Sequence, residues 1–112
     1  MGKYVGKCRA NEEEIGEEFS GSVIVKGLVE DTIPTYIPDK ISLLHLDMDF
    51  YSPTKHALIY MYPLVVNGGV LVIDDYGCWE GCRKAVNEYF GEGWLGRNMV
   101  RTDYSQRVIR KV

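Results

Sequence analysis

The sequence lacks any apolar run long enough to span a bilayer, and it lacks an excess of positive charge. Its 13 Lys and Arg are outnumbered by 16 Asp and Glu, for a formal net charge of -3. That balance supplies no field to attract nucleic acid or an anionic membrane surface, and neither is expected as a partner. The opening residues, MGKYVGKCRANEEE, lack the apolar core of a secretory signal. Gly6 stands where a myristoylation motif needs Ser or Thr. The chain is therefore read as cytoplasmic. Three cysteines cannot all pair internally. Cys8 is isolated. Cys78 and Cys82 are four apart, but a zinc site needs further ligands, and both histidines, His45 and His56, lie in other elements. The cysteines read as small apolar packing residues.

What is present suits one small α/β domain. The chain has 112 residues, 46% apolar and 26% charged, an ordinary globular balance. Residues 11–19, NEEEIGEEF, read as an acidic helix capped by Asn11. SVIVKG (22–27) is a β-branched run ending in glycine and reads as a strand. ISLLHLDMDF (41–50) reads as a second strand ending in acid. A helix then starts, with Ser52 as N-cap and Pro53 in the first helical position. Ala57, Leu58, Met61 and Tyr62 share its apolar face, and Pro63 ends it. Asn67-Gly68-Gly69 reads as a turn, and VLVID (70–74) as a strand apolar on both faces, hence covered on both sides.

Cys82, Ala85, Val86, Tyr89 and Phe90 form an amphipathic stripe, which Gly91 stops. Residues 98–112 read as two strands around a turn at Asp103 to Ser105. Strands alternating with helices imply crossover connections and a mostly parallel sheet, with ligands beyond the carboxyl ends of its strands.

Two apolar runs end in paired acid at that rim: Asp47 and Asp49 after one, Asp74 and Asp75 after the other. Clustered carboxylates raise one another's pKa unless a positive charge lies between them. A hard divalent cation, Mg²⁺ or Ca²⁺, would supply that charge at oxygen ligands from Asp47, Asp74 and Asp75. The other reading makes each aspartate a cap for the helix or turn that follows its strand.

LDMDFYSPTKHAL, followed by YPLVVNGGVLVIDDYGCWEGCRKAVNEYF, resembles the carboxyl half of the macrocin O-methyltransferase family, and VKGLVEDTIP upstream is similar to that family as well. The resemblance runs from about Val25 to Phe90. It implies a partial Rossmann-like methyltransferase sheet with strands resembling 3-4-5-6-7, the last antiparallel, and helices on the faces. It implies S-adenosylmethionine as methyl donor and a sugar hydroxyl of a natural product as acceptor. It also implies Mg²⁺ held by Asp47, Asp74 and Asp75, where the metal would hold neighbouring hydroxyls and acidify the one to be methylated. Met48 stands where the family commonly has glycine. No strand followed by a G-x-G turn and a helix precedes Ser22, so the glycine-rich cofactor half is expected to be missing from 1–112.

Tyr51, Tyr76 and Trp79 follow the acid pairs and are candidates to line a substrate pocket, or equally to pack at the rim. His56 flanks the apolar stripe and reads as a solvated surface residue, with Arg83 and Lys84 also solvated. His45, inside a strand, reads as packed. No residue is assigned as catalytic base or as a ligand of the methyl donor. Two functions stay open: a Mg²⁺-dependent O-methyltransferase acting on a glycoside or another hydroxylated substrate, and a non-catalytic remnant or interaction module. A bare strand edge beside residues 41–46 would favour a homodimer.

Overall fold

The computed structural model describes residues 23–112. Within it, the apolar runs and the helical stripes form the elements that place the acidic rim. They are α1 (Val29–Thr32), β1 (Ile41–Leu46), α2 (Tyr51–Met61), a 3-10 turn (Tyr62–Leu64), β2 (Val65–Ile73), α3 (Glu80–Phe90), α4 (Glu92–Asn98), β3 (Met99–Arg101) and β4 (Arg107–Arg110). The helix expected over 11–19 lies outside the described residues.

The sheet order is β1-β2-β4-β3. β1 and β2 pair in parallel, and β4 runs antiparallel to both β2 and β3. Three strands thus point one way and the last opposes them, as expected. A parallel pair needs a crossover, and α2 with its 3-10 turn supplies it. The strand expected over 22–27 does not form: residues 23–26 have no regular structure and Gly27 sits in a bend. Among the described residues that run has no strand beside it, and β propensity without a ladder partner does not hold a strand.

The core follows from register. Leu44 pairs with Leu71, Leu46 with Ile73, and Leu71 with Ile109, so these side chains share one face. They are buried in one cluster with Ala57, Leu58 and Met61 of α2 and with Cys82 and Val86 of α3. Each large side chain so buried contributes about 2 kcal/mol. The opposite face is less covered. Leu43 is 49% exposed, Val100 is exposed, and Val70 and Val72 are half-buried. The expectation that strand 70–74 would be covered on both sides is not met among the described residues.

Several local expectations shift for identifiable reasons. Asn67-Gly68-Gly69 is no turn between elements. Two steps along β1 match five along β2, from the Ile41–Val65 pair to the Leu43–Val70 pair. The extra residues bulge out of a continuous strand, and Gly68 takes the positive φ of 84° that the bulge requires. Helix α2 begins one residue before Ser52, so Ser52 does not cap it. The N-cap is Phe50, with no side-chain cap bond, and the Ser52 hydroxyl donates instead to Glu30 of α1 at 2.8 Å. Pro53 is third in the helix, where a missing N–H still costs no intrahelical bond. Gly91 ends α3 with φ +88°, as expected.

Helix α4 was not expected, because EGWLGRN carries two glycines and no apolar periodicity. It is held by packing: Leu95 is buried, and the Trp94 ring stacks on Phe90 at 4.9 Å and 9°. The terminal hairpin forms around the expected turn. There Asp103 accepts the backbone N–H groups of Ser105 and Gln106 at 2.9 and 2.7 Å. These bonds hold its carboxyl below the usual range.

Candidate metal centre

The parallel ladder of β1 and β2 sets the geometry of the rim. Leu46 pairs with Ile73, and the Asp74 amide donates to the Leu46 carbonyl at 3.0 Å. Asp47 and Asp74 therefore leave the sheet side by side. Burial alternates through the next residues: Asp47 is exposed, Met48 is 3% exposed, and Asp49 is half-buried. Met48 thus anchors the acidic segment to the core from below. After β2, the Asp75 carbonyl accepts from the amides of Cys78 and Trp79, a turn that leads into α3.

Asp47, Asp74 and Asp75 each offer a carboxylate oxygen, and the three lie within 4.8 Å of one another. Among the described residues no other group of three His, Cys, Asp or Glu is so arranged. Oxygen ligands of one ion are at most two bond lengths apart. That limit is about 4.2 Å for Mg²⁺ and about 4.6–5.2 Å for Ca²⁺. A spread of no more than 4.8 Å lies in the range that the larger ion spans and is close to the limit for Mg²⁺. The donor set, all oxygen, matches such ions.

Electrostatics fit the same group. Asp75 is pushed up to about 7, first by burial, then by sharing a hydrogen bond with Asp47 and by the charges of Asp47, Asp49 and Asp74. Its Oδ2 atom is buried and has no hydrogen-bond partner. An orphaned carboxylate oxygen among other carboxylates is the feature a cation would satisfy. The His45 Nε2 atom lies 4.0 Å from Asp74 Oδ1, too far for a hydrogen bond, and is likewise buried without a partner.

The aromatic candidates divide. The Tyr51 hydroxyl donates to Glu88 of α3, and Lys84 and Lys55 lie 5.1 and 5.6 Å from its ring. The Tyr76 hydroxyl donates to Asn87 at 2.7 Å, and the Arg107 guanidinium lies 5.0 Å from its ring. The Tyr51 hydroxyl ties the start of α2 to α3, and the Tyr76 hydroxyl ties the loop after β2 to α3. Trp79, 48% exposed, precedes α3. His56 is not a solvated residue: it is half-buried, and its Nε2 bonds the Ile33 carbonyl at 2.7 Å. Its partner comes from a loop 23 residues upstream, outside the reach of helical periodicity. Arg83 and Lys84 are exposed, as expected. Cys82 is buried, and burial with Asp75 nearby pushes its thiol up to about 12. It is an unreactive packing residue at neutral pH.

Two glycines and one glutamine at the rim went unnoticed in the sequence. A Cβ on Gly77 would sit 1.9 Å from the Tyr104 carbonyl oxygen, and the Gly77 amide donates to Ser105 at 2.9 Å. A Cβ on Gly81 would sit 2.8 Å from the Tyr51 amide nitrogen. Gly77 therefore lets the β3–β4 hairpin close on the loop after Asp75, and Gly81 lets α3 close on the start of α2. Gln106 reaches from the hairpin to Asp74, with Nε2 donating to Oδ1 at 3.0 Å. The glycines had a signal, because they fall in the motif stretches; Gln106 had none.

Known proteins resemble this chain in sequence and fold. The family model of the macrocin-O-methyltransferases (TylF) matches residues 14–111. Mycinamicin III 3''-O-methyltransferase of Micromonospora griseorubida is 36% identical over 77 residues, 69% of this chain and 30% of that protein. Demethyldecarbamoylnovobiocin O-methyltransferase of Streptomyces niveus is 34% identical over 100 residues, 83% of this chain and 38% of that protein. The solved structure of CalS11, a TDP-rhamnose 3'-O-methyltransferase of calicheamicin biosynthesis, superposes with a TM-score of 0.70. It is 26% identical, covering 86% of this chain and 44% of that one. The chain thus spans roughly a third of the curated relatives it matches. With the family model covering almost the whole sequence, the chain belongs to the macrocin-O-methyltransferase family.

Proposed function

We propose that this chain forms the acceptor-side part of an O-methyltransferase that uses S-adenosylmethionine to methylate a sugar hydroxyl of a natural product. The reading rests on one observation: Asp47, Asp74 and Asp75 converge at the carboxyl ends of two parallel strands, and one buried Asp75 oxygen lacks a partner. These residues would hold a divalent cation, with Mg²⁺ the assignment carried by family membership. Bound there, the cation would hold neighbouring sugar hydroxyls and lower the pKa of the one that reacts. S-adenosylmethionine, when bound, would supply the methyl group for that oxygen, and the proton of the acidified hydroxyl would leave to solvent. The chain's own contribution is position: Met48 fixes the height of Asp47, and Gly77 and Gly81 fix the loops that frame the mouth. Of the three aromatic candidates, Trp79 is exposed at 48%, while Tyr51 and Tyr76 commit their hydroxyls to α3.

Calorimetric titration of S-adenosylmethionine into the pure chain, with and without Mg²⁺, tests the enzyme reading. Micromolar binding supports it. Absence of heat in both titrations favours a non-catalytic module. Assembly belongs to the same proposal. β1 is a terminal strand among the described residues, and Leu43 on its less-covered face is 49% exposed; both features support a second copy packing on β1.

A further inference from the structure

We propose that Gln106 is a positioning residue for Asp74, oriented in turn by Thr102. The inference rests on the cation-site reading above and extends it to the hairpin. Gln106 Nε2 donates to Asp74 Oδ1 at 3.0 Å. The Thr102 hydroxyl lies 2.9 Å from Gln106 Oε1 as donor, and 3.3 Å from the Gln106 carbonyl. A hydroxyl has one proton to give, and giving it to Oε1 fixes which end of the amide faces Thr102. The NH₂ end is thereby committed to Asp74.

The platform beneath this relay is well defined. Asp103 accepts the amides of both Ser105 and Gln106, and the Ser105 carbonyl accepts from Gly77, two residues beyond Asp75. The hairpin is thus pinned to the loop that carries the acid pair, and Gln106 needs only one side-chain length to reach it.

The chemistry of the donor decides its role. A lysine at this place would neutralise Asp74 and compete with a cation. A neutral amide orients one carboxylate oxygen while leaving the negative charge of the cluster intact. That is what outer partners of metal-binding carboxylates do, and losing one typically lowers affinity about 10- to 100-fold.

The test is Mn²⁺ binding to the pure chain, read as the loss of the free-ion EPR signal, with melting in chelator measured alongside. Gln106→Leu should weaken Mn²⁺ binding about 10-fold while melting in chelator stays close to that of the unmodified chain. Thr102→Val should weaken it less, and Thr102→Ser should restore it. Gln106→Leu added to Asp74→Asn should bind no more weakly than Asp74→Asn alone, because the glutamine acts through that carboxylate. If the unmodified chain and Asp75→Asn both fail to bind Mn²⁺, the cation site falls and the inference falls with it. If the unmodified chain binds, Asp75→Asn does not, and both Gln106→Leu and Thr102→Val bind within about twofold of the unmodified chain, the cation site stands and the role of Gln106 alone is refuted.

Discussion

Replacing Asp75 by Asn should stabilise the metal-free chain while removing its response to cations. The carboxyl of Asp75 is raised from 3.8 to about 7 by burial and by neighbouring acids. An asparagine side chain at this place would be a permanent mimic of the protonated form, able to donate to Asp47 without carrying charge. The full shift corresponds to about 4 kcal/mol, at about 1.36 kcal/mol per pKa unit. Asp75 is only half-buried, so solvent screening reduces this to about 1–2 kcal/mol. The sign follows from linkage. A carboxyl whose folded pKa is raised contributes stability below its unfolded pKa, near 4, and that contribution is lost as pH rises through about 7.

In chelator at pH 8, Asp75→Asn should therefore melt higher than the unmodified chain, by about 4–8 °C per kcal/mol for a domain of this size. At pH 4 the two should coincide. Adding Mg²⁺ at about 100 times its Kd should stabilise the unmodified chain by about 2.7 kcal/mol and leave the variant unmoved, so the order of melting reverses. Differential scanning calorimetry at two pH values, with and without Mg²⁺, reads every one of these differences. An Asp75→Asn variant that melts at or below the unmodified chain in chelator at pH 8 would refute the repelling cluster on which the argument depends.

Gly77→Ala should cost about 1–3 kcal/mol by urea denaturation and weaken the cation response as well, since its Cβ would lie 1.9 Å from the Tyr104 carbonyl oxygen. A variant as stable as the parent would show that the hairpin is not held this closely. Leu46→Ala, at a side chain 1% exposed directly below Asp47, should cost about 2–5 kcal/mol by the same measurement. Light scattering should give the mass of a dimer for the unmodified chain and of a monomer for Leu43→Glu with unchanged helicity; a monomeric parent at micromolar concentration ends the proposed pairing at β1.

Elements with a strong period were legible, and those whose form depends on distant partners were not. The stripe Cys82, Ala85, Val86, Tyr89 and Phe90 identifies α3, and Gly91 supplies its end, because both signals are local to the helix. SVIVKG carries a strand's composition without a strand, since a ladder needs a neighbour that composition does not report. Asn-Gly-Gly signals a turn in isolation, yet here β2 continues through it, because pairing resumes at Val70 and carries the bulge along. The paired acids were legible because each closes an apolar run, and a parallel sheet brings such ends together. Gln106 was not, since it meets Asp74 across 32 residues through a hairpin whose docking depends on the bare backbone of Gly77.

The position of the acids at the strand tips makes physical sense once burial and repulsion are weighed against each other. Leu46, Met48 and Ile73 are 1%, 3% and 0% exposed, and they flank Asp47 and the pair at 74 and 75. Burying three such side chains stabilises this end of the fold by about 6 kcal/mol, at roughly 2 kcal/mol each. Holding a charged Asp75 among its neighbours costs about 1–2 kcal/mol after screening. Burial wins, so the apolar residues can hold three carboxylates closer together than the carboxylates alone would settle. The residual repulsion is the part a divalent cation would relieve, which gives bound metal and fold a common interest in the same few residues. On the proposed cation site, Asp75→Asn would stabilise the metal-free rim and abolish cation binding together, a trade between stability and function.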